Sequence, residues 1–493
     1  MTTERTFLGQ PRWFGTLFVV DMWERFSFYG MLAILYLYLV ATPAEGGLGM
    51  STGDAAALSG LYLALVFMAA LPGGWVADRL LGARKATLYG GLFIAAGHAC
   101  LAVPTAPALY PGLGLIVVGT GLVKPSMAAM VGDIYRGHPE RREAAFSLFY
   151  MSIQVSALIA PVVTGYTAER IDWHLGFGIA AVGMLFGLAH YVIGLRHLDG
   201  VGALPANPLP PAARARVLRR AAGWGGGPAL LLCLGVASGL LGFRQVLAVV
   251  GVLVLAVPIA YFVVLLRRPA MAPHRDRLRA FAWMLAASAV FWMLFAQVPA
   301  LLNLFAKESV ARTVAGFEVP ASWFQSVQPL FLLALAPLFA ALWLRLGGRV
   351  GAPPKFAVGL ACGALAFGVM AVAAAQATRG PVSALWLLTV YLLIVCGELV
   401  IAPVGLSLAA EVAPRGFTSQ ILGLFWLFAA LGVASGGQVA RIATAVPDAA
   451  YYLALAAASA VAAAGVAVAA RVLTRRLATP HDAPADRDTV PSR

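Results

Sequence analysis

The chain has 493 residues, of which 61% are hydrophobic and 11% charged, with a mean hydropathy of +0.85 and a formal net charge of +14 at pH 7. A soluble domain carries roughly 25% charged residues, so this composition excludes a soluble domain and makes lipid the solvent for most of the surface. The positive charge does not argue for nucleic acid, because it falls in clusters between apolar runs: Arg79/Arg84/Lys85, Arg136/Arg141/Arg142, Arg214/Arg216/Arg219/Arg220 and Arg275/Arg277/Arg279. That is how short cytoplasmic loops of membrane proteins collect Lys and Arg.

A spanning helix needs about 20 mostly apolar residues. Fourteen runs qualify: 14–40, 55–78, 86–104, 108–133, 145–168, 174–196, 224–243, 246–266, 280–306, 322–346, 355–377, 382–410, 417–443 and 448–473. The first is too long for a removable signal segment and is expected to be retained. An even number puts both termini on one side, and the loop bias of the 35 basic residues makes that side cytoplasmic.

In the first run, Asp21, Glu24, Arg25 and Phe28 follow helical i, i+3, i+4, i+7 spacing and share a face. Charges at this depth are costly, face a cavity and pair, and mark function more often than packing. A short basic turn, Asp78-Arg79-Leu-Leu-Gly82-Ala-Arg84-Lys85, follows the second run, and Arg345-Leu-Gly347-Gly348-Arg349 echoes it in the second half. Such repeats build many secondary transporters, with the site between the halves. Lys124, next to Pro125 in the fourth run, has no carboxylate within one turn and needs a partner on another helix.

The polar stretch 197–222, with Pro205, Pro208, Pro210 and Pro211, reads as a linker. The next two runs, with Arg244 at their joint, read as an inserted hairpin. The expected organisation is therefore a six-helix bundle at 1–196, linker and hairpin at 197–279, a second six-helix bundle at 280–473 and a disordered cytoplasmic tail at 474–493. In the second bundle, Phe291-Trp292…Gln297 is amphipathic, with Trp292 a candidate cavity aromatic. Glu398 is the only carboxylate deep within that half. A lysine in one half and a glutamate in the other suit a state-dependent ion pair, Lys124 with Glu398. The lone histidines His98 and His190 read as packing residues. Cys100, Cys233, Cys362 and Cys396 lie in apolar runs without a CxxC pair, which indicates neither metal nor disulfide. No nucleotide, zinc or nucleophile motif stands in its required context, so neither an enzyme nor an ATP-driven pump is expected.

Several ordered stretches resemble the proton-dependent oligopeptide transporter family of the major facilitator superfamily, bacterial branch. Asp21-Met-Trp-Glu24-Arg25-Phe-Ser-Phe28-Tyr29-Gly30 resembles its ExxERFxYYG. Gly119 to Tyr135 resembles its GxGxxKP…GDxY, and Phe146 to Pro161 its FYxxIN…P signature. Phe291-Trp292, Trp323-Phe-Gln325-Ser326, Gly397-Glu398-Leu399 and Pro403-Val404-Gly405 match in the second half. The resemblance covers roughly 14–440. It implies a proton-coupled symporter that imports di- and tripeptides by alternating access, works as a monomer and needs no cofactor beyond the coupling proton. Asp21, Glu24, Arg25 and Lys124 would couple the proton, and Lys124 with Glu398 would form a gate. Arg25, Phe28, Tyr29, Lys124, Gln154, Trp292, Gln328, Glu398 and Trp426 would line the substrate site. Asp78, Arg79 and Arg84 would form the superfamily's loop motif. Leu32 and Ala296 stand where the family pairs an arginine with a glutamate at its outer gate, so outer closure is expected to rest on apolar contact. With that clamp thinned, a peptide-like or other small metabolite is the alternative cargo, and a non-transporting receptor a third reading.

Overall fold

The computed structural model describes residues 7, 10–135, 139–198, 200–414 and 416–478. It is a bundle of long helices. The first half comprises α1 (Arg12–Val40), α2 (Thr52–Val76), α3 (Ala83–Leu101), α4 (Ala106–Ile134), α5 (Pro139–Arg170) and α6 (Trp173–Gly194). After the connection come α7 (Pro211–Ala221), α8 (Gly227–Ala237) and α9 (Phe243–Arg267). The second half comprises α10 (Arg275–Phe295), α11 (Asn303–Ser309), α12 (Val327–Leu346), α13 (Ala352–Ala377), α14 (Leu385–Val412), α15 (Thr418–Val439) and α16 (Asp448–Leu477). A wide π-turn, Val298–Leu302, joins α10 to α11 into one interrupted span.

Among the described residues, 11 helical spans are long and apolar enough to cross a membrane. Three of the fourteen expected runs fall short for readable reasons. α1 carries Asp21, Glu24 and Arg25, and α3 is only 19 residues long and opens on Arg84 and Lys85. The expected run 224–243 is a correction: its helix ends at Ala237, where Gly239 at φ 74 turns the chain before Phe243. Its first arm begins instead at Pro211, so the second part of the polar stretch 197–222 is helical, passing through the π-turn Ala222–Gly226 into α8. The expected tail 474–493 is corrected at its start, since α16 continues to Leu477, and residues 479–493 lie outside the described residues.

The basic turns after α2 and α12 echo each other in backbone as well as sequence. Gly82 (φ 78) and Gly347 (φ 52) both occupy the left-handed region that glycine tolerates best. The halves meet along α2 and α15 by close backbone approach, as helices do where lipid supplies no hydrophobic drive. A Cβ at Gly60 would stand 2.9 Å from the Gly437 Cα. α9 lies over this seam, burying Leu247, Gly251, Val254, Pro258 and Leu265 along one stripe and leaving Val252, Ile259 and Val264 exposed.

Polar contacts between the halves gather toward the end of the bundle away from Arg12 and Leu477. There Asn303 Nδ2 donates to the Ala33 carbonyl (2.8 Å), and Arg441 and Arg170 pair with Asp54 (3.5 Å) and Glu318 (3.1 Å). Toward the end that holds Arg12 and Leu477, α2 and α15 approach through Leu71 beside Gly423. The molecule is latched at the end away from Arg12 and holds its cavity between the halves.

Candidate functional site

A cavity of about 690 Å³ lies between the halves, lined from α1, α2, α4 and α5 on one side and α10, α12, α14 and α15 on the other. All nine residues expected at the substrate site line it: Arg25, Phe28, Tyr29, Lys124, Gln154, Trp292, Gln328, Glu398 and Trp426. Their spacing explains this on each helix, since 25, 28 and 29 fall within one turn of α1 and face one way.

Asp21 and Glu24 sit behind that wall, 2% and 0% exposed. Arg25 bridges them, its Nε 3.1 Å from a Glu24 oxygen and 3.6 Å from Asp21. Ser152 Oγ on α5 donates to Asp21 (2.8 Å), tying this carboxylate to the neighbouring helix. Among the described residues neither Glu24 oxygen accepts a hydrogen bond, and the Arg25 guanidinium is its ion-pair partner at 3.1 Å. The Lys124 ammonium faces the rings of Phe28 (5.2 Å to the centroid) and Phe67 (5.4 Å), where cation–π attraction offsets part of its desolvation.

Across the cavity, Glu398 accepts from Gln328 Nε2 (2.9 Å). Lys124 and Glu398 thus face one space, and among the described residues no ion pair joins them in this state. Trp292, Trp426 and Phe67 form an aromatic corner, with Phe67 stacked on Trp426 (5.8 Å between centroids). The indole N–H of Trp292 is buried without a partner, an available donor at the cavity wall.

The loop motif behaves differently. Arg84 Nε donates to the Val201 carbonyl (2.6 Å), the Arg79 guanidinium reaches the Asn207 carbonyl (3.4 Å), and the Asp78 carbonyl accepts the Asn207 amide (2.9 Å). The polar stretch after α6 is thereby stitched onto the α2–α3 turn. His98 is buried at the α3–α4 contact and His190 is exposed; neither lines the cavity. Cys100, Cys362 and Cys396 are unpaired thiols, and the Cys233 side chain lies outside the described residues.

The closed end of the cavity differs from the expected apolar gate. Leu32 lines the cavity, but Ala296 does not face it and packs where α10 and α15 nearly touch; a Cβ at Gly436 would stand 2.8 Å from the Ala296 Cβ. Closure is polar, not merely apolar. The Glu169 carboxylate at the end of α5 accepts the amides of Ala321 (2.9 Å) and Ser322 (2.8 Å) and the Ser322 hydroxyl (2.5 Å). It caps, from the first half, the 3-10 turn Ala321–Ser326 that leads into α12 of the second. Trp323 Nε1 and Ser326 Oγ add bonds to the Val162 and Leu158 carbonyls (3.0 and 2.7 Å).

Sequence reasoning passed over Phe67, Tyr150, Gln325 and Glu169. Tyr150 and Gln325, both cavity-lining, lie inside stretches that had drawn notice. Phe67 and Glu169 carried no signal, because an aromatic in an apolar helix and a carboxylate at a helix end are ordinary.

Two helical halves closed at one end around a charged internal cavity define a polytopic membrane transporter. A profile of the POT family matches residues 84–457. The Bacillus subtilis protein called uncharacterized transporter YclF is 38% identical over 455 residues, covering 91% of each chain. A di-/tripeptide transporter of Lactococcus lactis subsp. cremoris is 36% identical over 463 residues, covering 89% of this chain and 91% of the relative. A crystal structure of peptide transporter POT in complex with sulfate superimposes with a TM-score of 0.92 at 39% identity, over 96% of this chain and 97% of that one. The chain belongs to the POT family.

Proposed function

We propose that this protein is a proton-coupled symporter that imports di- and tripeptides across the cell membrane by alternating access, as a monomer with both termini in the cytoplasm. The observation that carries this reading is the division of charge across the cavity. Glu398, held by Gln328, stands on the second half, while Arg25 and Lys124 stand on the first. A zwitterion of peptide length would set its ammonium on Glu398 and its carboxylate toward Lys124 and Arg25, drawing the halves together. The aromatic corner of Phe67, Trp292 and Trp426 would receive side chains, and Gln154, Gln325 and Gln328 the peptide amides.

In this proposal Asp21, Glu24, Arg25 and Lys124 couple the proton. Protonation of Glu24 removes the nearer of the two anionic partners of Arg25 and loosens its guanidinium toward substrate. Lys124 and Glu398 pair when the cavity collapses empty and part when substrate takes their charges. The working units are the bundles 1–196 and 280–473, with the hairpin riding on the α2–α15 seam and Asp78, Arg79 and Arg84 stabilising the inner side.

A labelled dipeptide offered to proteoliposomes under an inward pH gradient tests the reading. Accumulation abolished by a protonophore is expected, and uptake that survives the protonophore but needs sodium overturns it. A membrane potential acts on each translocated charge with about 2.3 kcal/mol per 100 mV, enough to concentrate a neutral solute some tens-fold. A second reading, the same scaffold carrying a peptide-like metabolite, draws on Leu32 and Ala296, where the family's charged pair is missing. It would be favoured by weak competition from free dipeptides.

A further inference from the structure

Where the hairpin returns to the second half there is a pocket outside the transport path. α9 ends at Arg267, the chain turns through Pro269–His274 around buried Met271, and α10 begins at Arg275. This elbow holds a cavity of about 300 Å³ lined by Val263, Leu266, Arg267, Arg275 and Arg279. Arg275 and Arg279 lie one turn apart on one face of α10. The next position on that face, about 6 Å deeper at 1.5 Å per residue, is Trp283, which is 70% exposed.

The neighbouring Arg277 serves packing instead: its Nη2 is 3.1 Å from Glu411 and its Nε donates to the Leu477 carbonyl (2.6 Å). Of the pocket arginines, Arg275 donates to the Leu266 carbonyl at the end of α9 (3.2 Å), and Arg279 reaches exposed Asp276 (3.1 Å). One carboxylate therefore stands against three guanidiniums. The pocket has an apolar wall that continues up α9 through exposed Val263 and Ile259.

We propose that this elbow binds the phosphate headgroup of an anionic phospholipid from the leaflet on the basic side, with an acyl chain along Leu266, Val263 and Trp283. Guanidinium forks suit phosphate oxygens, and basic pockets between spanning helices suit anionic headgroups. The continuous apolar wall beside the arginines selects a lipid over free phosphate, which has nothing to lay there. Such a lipid would tie the hairpin's base to α10, the helix that carries Trp292.

The test is quenching of Trp283 fluorescence, taken as the parent minus Trp283→Phe, in vesicles containing brominated phosphatidylglycerol or brominated phosphatidylcholine. Phosphatidylglycerol should quench at a mole fraction roughly tenfold lower. Arg267→Gln with Arg279→Gln should erase that preference, and both leave the Arg275 cap on α9 intact. Arg219→Gln with Arg220→Gln on α7 removes the same charge elsewhere and should leave the preference in place. Equal quenching by the two lipids overturns the proposal. So does an equal loss in the α7 variant, which would mean unspecific surface charge. Abolition by millimolar inorganic phosphate, against chloride at matched ionic strength, would replace the lipid with free phosphate and also overturn it.

Discussion

Glu169→Ala should unlatch the outer end. The carboxylate accepts three hydrogen bonds from Ala321 and Ser322 across the two halves. A bond to a charged group contributes about 1.5–3 kcal/mol net when buried, and loss of a helix cap costs about 1 kcal/mol. Glu169 is only partly buried, and the freed amides gain water on opening, so about 2 kcal/mol is a fair figure for the whole latch. That is roughly a thirtyfold shift toward the outer-open state, enough to turn a closed state favoured thirtyfold into an even mixture. Glu169→Gln keeps one acceptor oxygen and should shift the equilibrium less. Spin labels at Ile171 and Val314, which are 65% and 64% exposed at the latched end, would report the distance between halves by pulsed electron resonance. The background would have Cys100, Cys233, Cys362 and Cys396 replaced by serine. A second, longer distance should grow in Glu169→Ala. An unchanged distribution would refute the latch, and the closed end would then rest on Asn303, Trp323, Ser326 and the Arg441–Asp54 and Arg170–Glu318 pairs.

Glu24→Gln and Lys124→Ala should each abolish gradient-driven accumulation while preserving substrate exchange, because the cavity survives without the coupling charge; concentrative uptake in both variants would remove these residues from the coupling path. Ala296→Glu should cost about 1–3 kcal/mol by overpacking against α15, so Leu32→Arg combined with Ala296→Glu should melt no higher than Leu32→Arg alone. Gly60→Ala forces a Cβ to within 2.9 Å of the Gly437 Cα, and the labelled pair should show opening of the α2–α15 seam along with a lower melting temperature. Hydrogen bonds from the Thr42 amide and hydroxyl hold the exposed Glu45 carboxylate below its usual range. Its contribution is therefore present above the unfolded value of about 4.3 and is lost as pH falls through the lower folded value. The melting difference between parent and Glu45→Gln should stay constant from about pH 8 to about pH 5 and shrink only in stronger acid.

The sequence alone determined the solvent, the helices and the charged residues of the cavity wall. Lipid leaves the backbone no alternative to helix, so apolar length and basic loops were enough to outline the spans. A charge inside such a span must face a cavity, which is why Arg25, Lys124 and Glu398 could be found without coordinates. Tertiary structure decided what depends on pairing between distant helices. Lys124 rests on aromatic rings in this state while Gln328 occupies Glu398, an arrangement that composition and spacing do not encode. Ala296 proved to be a packing position against Gly436, because helical phase at a π-turned span is set by the neighbour that fills it. Glu169, unremarkable in one dimension, becomes a latch only when the second half brings the free amides of Ala321 and Ser322 to it.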